Sequence, residues 1–188
     1  MSPRVCVFVD GSNLYFALKR NNQNTRVDYY ELSKALVGPN RTLVRTYYYN
    51  AAWDPIVNPD KFRTQQSFLD SLDRTPYLEL RLGRFIQKDN QKMEKGVDVR
   101  LAADMIFYAS KDFYDVAIVI TEDRDFAPVI ASVKELGKHV ELALFSDGQN
   151  RDMIRAADRI IPLADVAAKY KEAIFPADGA PGATYEQV

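Results

Sequence analysis

Residues 5–9 (VCVFV) and 116–120 (VAIVI) are uninterrupted apolar runs of strand length. Such runs predict strands buried on both faces, as at the centre of a parallel sheet. Residues 42–50 (TLVRTYYYN) concentrate β-branched and aromatic side chains and predict a strand whose tyrosines pack inward. Residues 77–86 (YLELRLGRFI) alternate apolar and charged positions, which predicts a strand with a bend at Gly83. Residues 140–145 and 159–162 complete the strands. Between them the period lengthens. Ser12 is placed to cap a helix covering Leu14, Tyr15, Ala17 and Leu18. Residues 28–37 form a second helix, ended by Gly38–Pro39, and Asn58–Pro59 opens a third that carries Phe62, Gln66, Leu69 and Leu72. Residues 96–110 form the strongest helix, with Val97, Leu101, Met105 and Tyr108 along one stripe. Residues 126–136, 149–157 and 163–174 are the remaining helices, and the polar stretch 87–95 (QKDNQKMEK) reads as a loop. Strands alternating with helices imply an α/β fold with a mainly parallel sheet and right-handed crossovers. No linker or repeat divides the chain, so residues 1–175 read as one domain and residues 176–188 as a tail.

Composition narrows the functional classes. The chain has 188 residues, 47% of them apolar, and a net charge of −1, so any grip on nucleic acid must come from a local basic patch. The single cysteine, Cys6, rules out an internal disulfide or a multi-cysteine zinc site and reads as a small core residue. The first apolar run is too short for a signal peptide, and no stretch approaches the roughly 20 apolar residues of a membrane span. The expectation is a soluble, cytoplasmic protein with no membrane partner.

The chemistry lies where the buried runs stop. In sheets of this kind ligands bind beyond the carboxyl ends of the strands, at the topological switch point. The first run delivers Asp10 there, and the second delivers Asp123 and Asp125. One strand-terminal aspartate is ordinarily a turn or cap, but two central strands ending in acids change that reading. Asp98 and Asp104 add carboxylates at the borders of the apolar stripe of the 96–110 helix. A carboxylate beside a buried stripe needs a partner. Arg100, Arg124 and Arg151 are available, and so is a divalent cation. Hard cations such as Mg²⁺ and Mn²⁺ take oxygen ligands. The only histidine, His139, opens a strand without a second ligand, reads as structural, and leaves neither zinc nor a His general base well supported. Ser12 as a nucleophile lacks a base nearby. Gly11 would let the chain turn sharply beside the site, Asn13 would orient water or phosphate or cap a helix, and Thr121 could add a hydroxyl.

The ordered segments VDGSN, KGVD followed six residues later by Asp104, and TEDRDF resemble the signature of NYN-domain proteins of the PIN-like nuclease superfamily, in particular its LabA-like branch. The resemblance runs from about residue 4 to residue 165. It implies a three-layer α/β/α PIN-like fold and a metal-dependent endoribonuclease. By position it implies Asp10, Asn13, Asp98, Asp123 and Asp125 as the catalytic set. The four aspartates would be ligands for Mg²⁺ or Mn²⁺, and Asp104 would be a further acidic position able to join them. One departure stands out: Glu122 occupies a place where the family commonly has a small residue, and a bulky acid there would narrow the path of a phosphate. For RNA as partner, Arg84, Lys88, Lys92, Lys95, Arg100 and Arg124 are the candidate phosphate contacts, with Tyr15 and Phe16 as candidate stacking surfaces. The alternatives are a weakly active or non-catalytic RNA-binding regulator and, less well supported, a small-molecule phosphohydrolase. The sequence leaves the oligomeric state open, a homodimer included.

Overall fold

The two apolar runs lie side by side at the centre of one sheet. The computed structural model describes residues 2–88, 91–145, 151–176 and 183–184. Its strands are β1 (Arg4–Asp10), β2 (Arg26–Val27), β3 (Thr42–Ala52), β4 (Leu78–Lys88), β5 (Gln91–Lys95), β6 (Val116–Ile120), β7 (His139–Leu144), β8 (Arg159–Pro162) and β9 (Ala183–Thr184). Its helices are α1 (Gly11–Arg20), α2 (Tyr29–Val37), α3 (Pro59–Asp73), α4 (Val97–Ser110), α5 (Ala127–Glu135), α6 (Arg151–Ala156), α7 (Leu163–Lys169) and α8 (Lys171–Ile174). Among the described residues the main sheet has the order β5-β4-β3-β1-β6-β7-β8. Every pairing in it is parallel except β4 with β5. From β1 the chain moves outward through β3, β4 and β5, then returns to β6 and moves the other way. The switch point therefore falls between β1 and β6, and their carboxyl ends flank it.

Alternation along the central strands divides the core into two layers. Val5, Val7 and Val9 of β1, Tyr48 of β3, and Ile118 and Ile120 of β6 pack with Leu14, Leu18, Leu32, Leu36, Phe68 and Leu72 of α1, α2 and α3. Cys6, Phe8, Tyr47, Tyr49, Ala117 and Val119 face the other way, against Leu101 and Met105 of α4 and Ile130 and Val133 of α5. Helices on both faces of the sheet make the three-layer α/β/α arrangement. The tyrosine run of β3 is buried as expected, and Tyr47 stacks between Phe8 and Tyr108 at ring separations of 5.4 and 4.8 Å.

Four local expectations are corrected. The polar stretch expected to loop forms instead β5 and the end of β4, an antiparallel hairpin with Arg84 opposite Lys95 and Ile86 opposite Met93. At the edge of the sheet, β5 exposes Met93, Glu94 and Lys95 alike, so its described side chains bury neither face and need no apolar alternation. The cap of α1 is Asp10, whose carboxylate accepts from the Asn13 amide, and not Ser12. The final helix breaks at Tyr170 into α7 and α8. Part of the tail joins the fold, because Ala183–Thr184 pairs antiparallel with Arg26–Val27. The short helix begins at Arg151; the start expected for it at residue 149 lies outside the described residues. Among the described residues no helix is long and apolar enough to cross a membrane.

Candidate active site at the carboxyl pole

Strand register brings the first two elements of the site together. Val9 of β1 pairs with Ile120 of β6, so the next residues, Asp10 and Thr121, emerge side by side. Asp10 is 2% exposed. Its carboxylate accepts from the Asn13 backbone N–H at 3.0 Å, from Asn13 Nδ2 at 2.7 Å and from the Thr121 hydroxyl at 3.2 Å. Burial pushes the Asp10 pKa up to about 6 despite these donors, and the Asp98 charge pushes the same way. Thr121 Oγ1 also accepts from the Asp123 N–H at 3.2 Å, and Asp123 caps a short 3₁₀ turn, Arg124–Phe126, through the Asp125 N–H at 3.0 Å. The chain therefore tucks in immediately after β6, and Thr121 links the Asp10 carboxylate to the Asp123 backbone.

Asp98 arrives from the other side, in the first turn of α4. Packing around its carboxylate, then the charges of Asp123 and Asp125, hold its pKa above the usual carboxylate range. Asp98 thus acts electrostatically on Asp10 and feels Asp123 and Asp125, although three separate chain segments supply the four aspartates. Among the described residues none of the four forms an ion pair.

Asp104 does not join this group. Its Oδ2 accepts from the Tyr49 hydroxyl at 3.0 Å and from Arg81 Nε at 3.3 Å, so it serves as a structural anion between α4 and the sheet. Asn13 holds the site together from behind: Nδ2 donates to Asp10, and Oδ1 accepts from the Glu122 N–H at 3.3 Å. It positions carboxylates and orders the loop after β6. The Glu122 side chain is drawn into an ion pair with Arg20 in the last turn of α1. The bulky acid is therefore neutralised by a partner 102 residues away in the chain, a pairing that no local pattern announces. Gly11 has an ordinary helical role, and its bareness serves a close approach: a Cβ there would fall on the Tyr48 hydroxyl. The Ser12 hydroxyl donates to Glu94 Oε1 at 2.7 Å and so ties α1 to the β4–β5 hairpin.

The candidate phosphate contacts lie on the β4–β5 hairpin and in the two acidic segments. Arg84 and Lys95 face each other across the hairpin, both exposed, with Lys88 and Lys92 at further positions along it. Arg100 and Arg124 are exposed within the two acidic segments, and Arg100 Nη1 lies 3.4 Å from the Leu82 carbonyl. Phe16 is exposed, whereas Tyr15 belongs to the core. The site has oxygen donors only, which suits Mg²⁺ or Mn²⁺ by chemistry. Among the described residues, no three His, Cys, Asp or Glu side chains lie close enough to hold one ion directly. The arrangement fits a hydrated ion touched by few side chains, and does not fit one wrapped by protein.

Residues 4–164 match the NYN domain. The chain belongs to the NYN-domain family. It is 24% identical over 177 residues to the low amplitude and bright protein LabA of Synechococcus elongatus, covering 87% of this chain and 85% of LabA. The fold matches that of a crystallised protein of unknown function from Vibrio parahaemolyticus with a TM-score of 0.67 at 20% identity, over 88% of this chain and 95% of that one. This NYN domain thus has a fold of the PIN-like nuclease type, and its matched region contains all the aspartates described above.

Proposed function

We propose that this NYN domain is a metal-dependent endoribonuclease that hydrolyses RNA phosphodiester bonds at the carboxyl pole of its sheet. One observation carries the reading: Asp98 is within electrostatic reach of Asp10, Asp123 and Asp125, none of the four has a cationic partner among the described residues, and Asp10 is 2% exposed and held near pKa 6. Keeping such a set together costs stability, and ligand chemistry is what it serves. Mg²⁺ or Mn²⁺ held by Asp10, Asp98, Asp123 and Asp125, largely through its own waters, would lower the pKa of water and neutralise the scissile phosphate. Asp10 is fixed for this role by Asn13 and Thr121, so its orientation is set before substrate arrives. Arg84, Lys95, Arg100 and Arg124, with Lys88 and Lys92 farther along the hairpin, bind flanking phosphates and set the strand's register. Phe16 offers an exposed face for an unpaired base.

The wide spacing of the acids favours a second reading, an RNA-binding regulator with little turnover. Incubating the purified protein with labelled RNA and Mn²⁺, beside Asp10→Asn, separates the two. Cleavage lost in the variant supports the nuclease, and binding without cleavage in both supports the regulator. Cleavage that survives the substitution would come from a contaminant and would end the nuclease reading.

A further inference from the structure

The hairpin and the acidic cluster meet over one glycine. Gly83 sits in β4 opposite Ala51 of β3. A Cβ at this position would stand 2.5 Å from the Lys95 carbonyl oxygen, 2.8 Å from Val97 Cγ2 and 3.2 Å from Val97 N. Two of these atoms are backbone of the segment that leaves β5 and enters α4, so no change of rotamer relieves the overlap. The crossing segment itself would have to lift, by roughly 1 Å to restore ordinary contact. Asp98 is the residue immediately after that segment, in the first helical turn. The same turn is held down just beyond the crossing, where Arg100 Nη1 reaches the Leu82 carbonyl, and the hairpin is tied to α1 through Ser12 and Glu94.

We propose that Gly83 is a positioning residue for Asp98: its bare backbone lets the crossing lie flat on β4 and so sets how far the Asp98 carboxylate reaches toward Asp123 and Asp125. This inference rests on the reading of the acidic cluster as an ion-binding site. The geometry gives Gly83 a role different from that of a loop glycine such as Gly137, which has φ +77° and no atom within 4 Å of an added Cβ. Alanine at 137 strains only its own backbone. At 83 it moves a carboxylate.

The test compares Gly83→Ala with Gly137→Ala in the full chain. Mn²⁺ affinity is measured by calorimetry, and amide hydrogen exchange is followed at Arg100 and Leu101. Both variants should fold with lowered Tm. Mn²⁺ affinity should fall about tenfold or more in Gly83→Ala, as a ligand displaced by about 1 Å requires, and stay at the wild-type value in Gly137→Ala. Exchange at Arg100 and Leu101 should quicken in Gly83→Ala alone. A folded Gly83→Ala with wild-type Mn²⁺ affinity would overturn the proposal. Absence of Mn²⁺ binding by the wild type would remove the ion reading. The exchange data would then decide separately, an unchanged first turn of α4 overturning the positioning role and a local increase sustaining it. If Gly83→Ala does not fold, Gly83→Ala/Val97→Ala removes the Cγ2 contact, keeps the carbonyl overlap and carries the same readouts.

Discussion

Acids flank the β1–β6 pair at both poles of the sheet, and the two poles treat Asp115 and Asp10 in opposite ways. At the amino pole Asp115, just before β6, is bound by Arg4 of β1 through the backbone N–H at 2.7 Å and through Nη2 at 2.7 Å, while Asp112 is taken by Arg4 and Lys138. His139 and Lys134 meet Asp158, and Arg41 meets the buried Glu141 at 2.9 Å. At the carboxyl pole the same two strands end in Asp10 and Asp123, and no cation binds either among the described residues. Arg4 holds the Asp115 carboxyl down at about 2, whereas burial lifts Asp10 to about 6. Within one sheet, then, paired acids fasten strand starts, whereas at the switch point Glu122 pairs with Arg20 but Asp10, Asp98, Asp123 and Asp125 form no ion pair among the described residues. Arg84 and Lys95 on the hairpin and Arg124 between Asp123 and Asp125 stay exposed. On the proposed reading, the difference separates charge used for holding the fold from charge held for a ligand.

Breaking the comparison at the unpaired pole should have the largest effect. Asp10→Asn should reduce Mn²⁺-dependent RNA cleavage by about 100-fold or more, since a metal site contributes several kcal/mol to the transition state. Asp115→Asn at the opposite pole should leave cleavage unchanged and lower stability by about 1 kcal/mol, a figure already discounted for its solvent exposure. Equal activity losses in the two variants would dissolve the distinction. Next in size is a pH effect in metal-free protein. The folded pKa of Asp10 lies above its unfolded value, so protonation favours the fold. Its stabilising contribution is complete below about pH 4 and is lost as pH rises through about 6. Unfolding free energies from urea titrations should therefore increase from pH 7 to pH 5, by about 1.3 kcal/mol, and Asp10→Asn should flatten that slope. A flat wild-type profile would mean that Asp10 is not strained. A smaller effect should come from the ion itself. Mn²⁺ at ten times its Kd should add about 1.4 kcal/mol, or about 4 °C in Tm, to the wild type and to Arg4→Met, and nothing to Asp10→Asn.

Most of the frame was legible because it follows from patterns the chain cannot disguise. Two continuous apolar runs had to be central strands, and their terminal aspartates had to emerge at the switch point. The α4 stripe was legible for the same reason, and it carried Asp98 with it. What escaped was of three physical kinds. β5 is an edge strand whose described side chains, Met93, Glu94 and Lys95, are all exposed, so it shows no alternation. Asp104 looks like a site acid by spacing, yet Arg81 on β4 claims it, and only the pairing of β3 with β4 brings that arginine to it. Arg20 with Glu122 and Ser12 with Glu94 are likewise contacts between residues far apart in the chain, which no local period encodes. Thr121 was visible as a hydroxyl beside the site, but its service as the bridge between Asp10 and the Asp123 amide required the register of β1 with β6.

The smallest effect tests the paired pole on its own. Arg4 lowers the pKa of Asp115, to about 2, and Lys138 and Arg4 together lower that of Asp112. Folded values below the unfolded ones mean that these carboxylates stabilise the fold at and above about pH 4 and lose that contribution as pH falls toward 2. Both side chains reach solvent, so salt screens the pairs and the loss is modest. Arg4→Met should shrink this acid limb, with Lys138 still holding Asp112, while leaving the slope between pH 5 and pH 7 intact, and Asp10→Asn should flatten that slope and leave the acid limb in place. Stability curves in EDTA from pH 2 to pH 7, at low and high salt, would show whether the limbs separate in this way. Salt should shrink only the acid limb, because Asp10 is buried and titrates chiefly against its own desolvation. A single substitution that erased both limbs would show the two poles to be one coupled charge system and would refute their division of labour.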